Sequence, residues 1–162
     1  MMIRQASFDD ISAINRLANE IWWPTYSGVI PDEQIAFMLE DLYSQAALKS
    51  QMNDGITFLV AERDGLPAGF AAWSCTEPEN QVYKVEKLYV LPSEQGRGTG
   101  RQLIMEIAGI VKALGARTLE LNVNRGNKAF NFYKKQGFEV YKTVDIPYYN
   151  FVLNDYIMRI SL

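Results

Sequence analysis

The run Gln95-Gly-Arg-Gly-Thr-Gly-Arg101 places three glycines at alternate positions between a strand-like stretch and a helix-like one. Gly96, Gly98 and Gly100 let the backbone turn tightly and leave the N–H groups of the next helical turn unobstructed. Those donors, with the positive end of a helix dipole, suit a phosphate or pyrophosphate. The run lacks the Lys-Ser/Thr of a nucleotide P-loop and lies past mid-chain, not after a first strand as a dinucleotide fold requires. An ordinary strand-to-helix turn is the plain alternative.

The other reactive side chains are defined by what is missing. The chain has no histidine and one cysteine, Cys75. This excludes Ser-His-Asp and Cys-His catalysis, imidazole or cysteine metal sites, and an internal disulfide. Cys75 closes the run Gly69-Phe-Ala-Ala-Trp-Ser-Cys75, where it reads as a strand residue rather than a nucleophile. Protons must therefore be moved by carboxylates, tyrosines or water. Glu86 shares a face with Leu88 and Val90 if its strand is regular; the bland reading is a solvated carboxylate paired with Lys84 or Arg117.

The elements that would position these groups follow from periodicity. Met2 to Ala6 reads as a strand, and Ser7-Phe-Asp-Asp10 as a helix start. Ile11, Ile14, Leu17, Ala18 and Ile21 recur at helical spacing, and Pro24 ends that helix near Trp22 and Trp23. Trp23 to Pro31 is an ordered loop. A second helix from Pro31 carries Ile35, Met38, Leu39 and Leu42, and a third spans Ser44 to Met52. Ile56 to Glu62 and Leu66 to Thr76 form a hairpin turned at Asp64-Gly65.

After the polar stretch Glu77 to Gln81 comes a strand from Val82 to Val90, closed by Pro92. The helix behind the glycines carries apolar Leu103, Ile104, Ile107, Val111 and Leu114 at helical spacing and stops near Leu114-Gly115. Thr118 to Val123 alternates as a strand. Asn127 starts a helix that Gly137 ends. Phe138 to Val144 and Asn154 to Ile160 are strands separated by an aromatic loop, Pro147 to Phe151.

One α/β domain over residues 1–162 accounts for this pattern, without repeats or linkers. The formal charge of −3 argues against non-specific nucleic-acid binding. Arg97, Arg101, Lys112 and Arg117 could still form a local basic patch on cofactor phosphates. No leader or apolar run of spanning length is present, so no membrane association and a cytoplasmic location are expected.

The spacing Gln95-x-x-Gly98-x-Gly100 resembles the acyl-CoA signature of the GNAT superfamily of N-acyltransferases. A second stretch is similar to the same family: Asn127, Ala129, Tyr133, Gly137 and Phe138 follow a strand in the family's order. The likeness covers essentially the whole chain. It implies a mixed, mostly antiparallel sheet with helices on both faces, whose central parallel strands splay into a cofactor cleft. The N-terminal run Ile21-Trp-Trp-Pro-Thr-Tyr-Ser-Gly-Val-Ile-Pro31 further resembles the branch that includes polyamine and diamine acetyltransferases.

The resemblance implies an acetyl-CoA-dependent N-acetyltransferase, without metal, acting by direct attack of a primary amine. The pyrophosphate would lie on backbone N–H groups of Gln95, Gly96, Arg97, Gly98, Thr99, Gly100 and Arg101. The pantetheine arm would run along Leu88, Tyr89 and Val90 like an added strand. Tyr133 would face the leaving sulfur, and Asn127 would hold the pantetheine or simply cap its helix. Glu86 is the candidate base.

For the acceptor, Trp22, Trp23, Tyr26 and Tyr148 could wall an ammonium by cation-π attraction. Asp32, Glu33, Glu77 and Glu79 could hold a distal positive charge. A small amine such as a polyamine is the first expectation. A protein α-amine or lysine is the second, and a non-catalytic acyl-CoA-binding regulatory module the third. Dimers are common in the family, so a homodimer is possible.

Overall fold

A computed structural model describes residues 1–162. Its first helix is set by a reciprocal cap: the Asp9 N–H donates to Ser7 Oγ at 3.3 Å, and the Ser7 N–H donates to the Asp10 carboxylate at 2.8 Å. Helix α1, Ile11–Tyr26, then buries Ile11, Ile14, Leu17, Ala18, Ile21, Trp22 and Tyr26 along one stripe. Pro24 does not end it, contrary to the local expectation. The proline withholds only the N–H that would reach the carbonyl of exposed Glu20, and only Thr25 and Tyr26 of the helix lie beyond it. Thr25 Oγ1 donates to the Ile21 carbonyl at 2.7 Å, and the Ser27 N–H closes on the Trp23 carbonyl at 3.0 Å. This extension places Tyr26 on the same buried stripe as Trp22.

Helices α2 (Asp32–Tyr43) and α3 (Gln45–Asn53) follow, with Ser44 capping α3 through the Ala47 N–H. The strands are β1 (Met2–Gln5), β2 (Thr57–Arg63), β3 (Leu66–Glu77), β4 (Val82–Val90), β5 (Thr118–Asn124), β6 (Glu139–Tyr148) and β7 (Phe151–Ser161). They form one sheet in the order β1-β2-β3-β4-β5-β7-β6, antiparallel except for β4 against β5. Helices α4 (Thr99–Ala113) and α5 (Ala129–Lys135) complete the chain.

The alternation of side chains along the strands sorts the core into two layers. Phe58, Val60, Phe70 and Ala72 pack with α1, α2 and α3. Leu59, Ala61, Ala71, Val85, Leu119, Leu121, Val123 and Met158 pack with α4 and with Tyr133 of α5. Helices thus cover both faces, as the resemblance implies. No helix is long and apolar enough to cross a membrane.

The last hairpin is tighter than expected. Pro147 to Phe151 is not a loop: β6 and β7 run to Tyr148 and Phe151, which face each other across a two-residue turn with Tyr149 at φ +53°. Pro147 is tolerated because β6 is the sheet edge, where a missing N–H breaks no ladder.

Two irregularities in β4 create the cleft. Ala72 faces Lys87 while Trp73 faces Val85, so Glu86 is an extra residue, a β-bulge. The parallel ladder to β5 covers only Val82 to Val85 against Thr118 to Leu121. Beyond it β4 still pairs with β3 up to Val90, and β5 with β7 up to Asn124. The edges of β4 and β5 that face each other are unpaired there.

Candidate active site and cofactor cleft

At the mouth of this cleft the chain passes through the glycine loop into α4. Gly96 and Gly98 sit at φ +80° and +83°, left-handed geometry that glycine adopts at little cost. The N–H groups of Gly96, Gly98, Thr99, Gly100 and Arg101 donate to no backbone carbonyl, and four of them cluster at the helix start. A side chain at Gly100 would put its Cβ 3.2 Å from the Phe132 ring, so glycine there lets α4 approach α5. Arg101 is exposed.

Lys112 and Arg117 do not join this loop. Lys112 lies eleven positions after Arg101 on α4, about 16 Å along the axis, and Arg117 follows the far end of the helix. The expected four-residue basic patch is therefore split.

Beneath the loop lies a group that sequence reasoning missed. Glu94, 5% exposed, accepts from Arg63 Nε at 2.8 and 3.0 Å, from Thr99 Oγ1 at 2.9 Å and from Arg97 at 3.4 Å. Arg63 and Thr99 hold its carboxyl below the usual carboxylate range. A bare carboxylate would repel a phosphate here. Neutralised by Arg63, it instead ties the loop to β2.

Tyr133 projects from α5, beside Phe132 and Phe138 at ring distances of 5.3 and 6.0 Å. Burial pushes its phenol well above the ordinary value, with no hydrogen bond to offset the rise. Asn127 stands just before the start of α5: its Oδ1 accepts from the Ala129 N–H at 2.9 Å, and its amide donates to the Tyr26 hydroxyl at 3.4 Å. That turn engages its side-chain oxygen.

Glu86 does not share a face with Leu88 and Val90. Leu88 and Val90 pack with the α4 layer, whereas the bulge turns Glu86 to the other side. There it accepts from Ser74 Oγ at 2.7 Å and lies 3.9 Å from Lys84 Nζ. Lys87 is on that side too, 9% exposed, its Nζ 4.6 Å from the centre of the Tyr43 ring. Burial lowers its pKa to about 8.

The α1–α3 side of the cleft is lined with tyrosines. The hydroxyls of Tyr26 and Tyr89 are 2.9 Å apart, and burial raises Tyr26 to about 12. Trp22, 3% exposed, supports both rings from behind at 4.6 and 5.6 Å. Trp23, the next residue on the helix, is 37% exposed and outside this group. Tyr148 reaches from the β6–β7 turn to donate to Asp41 of α2, as does Tyr149 at 3.3 Å, and both rings pack on Phe37.

Of the acidic residues expected near the acceptor, Glu77 pairs with Arg159 at the closed end of the β4–β5 ladder and Glu79 follows it there, whereas Asp32 and Glu33 are exposed in the first turn of α2. Asp155 of β7 is, with Glu94, a second buried carboxylate that the sequence did not reveal.

Comparison with known proteins gives a consistent picture. The family profile described as an acetyltransferase (GNAT) domain matches residues 54–140. Spermidine N(1)-acetyltransferase of Thermoplasma acidophilum is 31% identical over 147 residues, covering 87% of this chain and 89% of that protein. An uncharacterized N-acetyltransferase of Archaeoglobus fulgidus is 31% identical over 143 residues, 84% of this chain and 91% of that one. Among solved structures, PaiA N-acetyltransferase from Thermoplasma acidophilum in complex with coenzyme A superposes with a TM-score of 0.85 at 29% identity, covering 99% and 98% of the two chains.

Proposed function

The chain belongs to the GNAT acetyltransferase family, and we propose that it transfers the acetyl group of acetyl-CoA to a primary amine of a small polyamine. The observation that carries the acceptor class is the nearly end-to-end likeness to a spermidine N(1)-acetyltransferase. The acceptor side of the cleft agrees with it. Its walls are tyrosines, whose ring faces attract an alkylammonium, as with the Lys87 Nζ 4.6 Å from the centre of the Tyr43 ring. The hairpin tip is held on α2 through Asp41, an anchored wall that suits a small amine better than a peptide.

Acetyl-CoA supplies the thioester. The free N–H groups of Gly96, Gly98, Thr99, Gly100 and Arg101 hold its phosphates, and the free edge of Leu88, Tyr89 and Val90 takes the pantetheine arm. Tyr133 offers its hydroxyl to the leaving sulfur. A phenol already at pKa 10 gives its proton to a thiolate near 8.5 uphill by roughly 2 kcal/mol, and burial widens that gap. Tyr133 therefore acts chiefly by hydrogen bonding to the developing thiolate, with the proton following late. Tyr26 and Tyr148 line the acceptor side, and Trp22 braces Tyr26.

The test is acetyl-CoA-dependent thiol release across spermidine, spermine, putrescine, amino acids and short peptides. Turnover strongest on polyamines supports the proposal. Preference for a peptide amine, or no release with any amine, would overturn it.

A further inference from the structure

Two carboxylates of this protein are buried, and they differ in one respect. Glu94 has Arg63 against it, whereas Asp155, 8% exposed, has no cation within ion-pair distance. A buried carboxylate without a counter-ion is costly, and the arrangement suits a charge that arrives with a ligand.

Its place in the sheet says which ligand. Asp155 faces Asn124 on β5 and Val144 on β6. Leu153, two residues before it, packs with the α1–α3 layer, and Tyr156 with the other, so Asp155 looks towards the tyrosine-lined side. Were the parallel ladder continued past Val85 and Leu121, Asn124 would stand beside Lys87 and Leu88. Asp155 is therefore one strand beyond β5, level with the stretch of β4 where pairing to β5 has ceased.

The groups that face it are Lys84 from β4, Asn122 from β5, Arg125 just after β5 and Tyr26 from α1. The cations are engaged elsewhere. Arg125 donates to the carbonyls of Val144 and Asp155 and to the Asp145 carboxylate, and Lys84 is drawn to Glu86.

We propose that Asp155 holds the ammonium of the acceptor and takes its proton before transfer, a role that rests on the acetyltransferase reading above. One N–H proton passes to a carboxylate oxygen of Asp155, and the freed lone pair forms the C–N bond to the acetyl carbon. The C–S bond breaks and the sulfur leaves with its electron pair, hydrogen-bonded by Tyr133; the second N–H proton, lost from the nitrogen as the amide forms, goes to the thiolate, so that the products are the amide and the free thiol. Desolvation raises the Asp155 carboxyl above its ordinary value, which makes it a better base than an exposed aspartate.

The experiment compares wild type, Asp155→Asn and Asp155→Glu with the best alkylamine of the panel and with 2,2,2-trifluoroethylamine, which is already neutral at pH 7. Asp155→Asn is expected to lower kcat/KM for the alkylamine about 100-fold and to flatten the acidic limb of its pH profile. It should change turnover of the neutral amine less than about threefold on the same grounds. Asp155→Glu should recover part of the loss, and acetyl-CoA affinity should be unchanged. Equal losses on both amines with an unaltered pH profile, or no loss at all, would overturn the role of Asp155 alone. Wild-type enzyme inert towards every amine would overturn the acetyltransferase reading with it.

Discussion

The hydroxyls of Tyr26 and Tyr89 meet at 2.9 Å, joining the last turn of α1 to the unpaired half of β4. The contact exists because α1 runs through Pro24 to Tyr26, and the Asn127 amide completes it from just before α5. Three elements that border the cleft thus share one small hydrogen-bond cluster. Tyr26→Phe leaves the Tyr89 hydroxyl without that partner in a buried site. The expected cost is about 1–2 kcal/mol of stability, read by urea denaturation, together with a raised KM for the amine. A variant as stable as wild type would show that the pair does not hold α1 against β4.

Lys87 carries a stability cost with a defined pH dependence. Its folded pKa of about 8 lies below the ordinary lysine value of 10.5, because burial disfavours the charge. Between those values the unfolded chain binds the extra proton, so stability rises with pH across that window and the cost is fully present below pH 8. Lys87→Met should therefore stabilise the fold at pH 7, on the order of 1–3 kcal/mol once loss of the Tyr43 contact is allowed for. The advantage should shrink as pH approaches 10.5. Denaturation midpoints at pH 7 and pH 10 check this, and a variant less stable at pH 7 would contradict it.

Arg63 and Glu94 are expected to govern cofactor affinity without touching the acceptor. Arg63→Met leaves the Glu94 carboxylate uncompensated beneath the phosphate-binding loop. The dissociation constant for coenzyme A should rise about tenfold or more, as for a lost charge-assisted contact, with KM for the amine unchanged. Adding Glu94→Gln should restore part of the affinity. The pH dependence has the opposite sign to that of Lys87: the depressed Glu94 carboxyl stabilises the loop above its unfolded value, and that stabilisation is lost as pH falls through the folded one. Calorimetric titration of coenzyme A with the single and double variants separates this from a general loss of fold.

Asp155→Asn should make the protein more stable while slowing it. The Asp155 carboxyl is raised in the fold, so its charged form is a cost above that raised value, relieved as pH falls through it towards the unfolded value. The melting temperature of the variant should exceed wild type at pH 7 by a few degrees, taking about 2–4 °C per kcal/mol for a chain of this size. The difference should narrow in acid. A lower melting temperature at pH 7 would mean that the carboxylate is compensated within the fold.

What could be read in the sequence was what local rules determine. The glycine spacing from Gly96 to Gly100 and the order Asn127, Tyr133, Gly137 are contiguous signals, and the loop and α5 stand where those signals put them. Pro24 misled because the rule against proline in helices weakens near a helix end. Glu86 misled because a bulge depends on the pairing of β4 with β3, which residues 82–90 do not encode alone. Asp155, Glu94 and Lys87 were illegible for a further reason. Burial of a charge is decided by distant chain, as when Arg63 reaches Glu94 from 31 residues away. The basic group at Arg97, Arg101, Lys112 and Arg117 failed on distance, since a helix spreads along its axis what a sequence keeps close.

The most direct test of acetyl transfer assisted by Tyr133 is to measure acetyl-CoA binding and spermidine-dependent thiol release on the same preparations of wild type and Tyr133→Phe. The account predicts equal acetyl-CoA affinity, with turnover in the variant lower by about 100-fold or more. Undiminished turnover in Tyr133→Phe would contradict the role given to this residue, and tight acetyl-CoA binding without thiol release in the wild type would contradict the account as a whole.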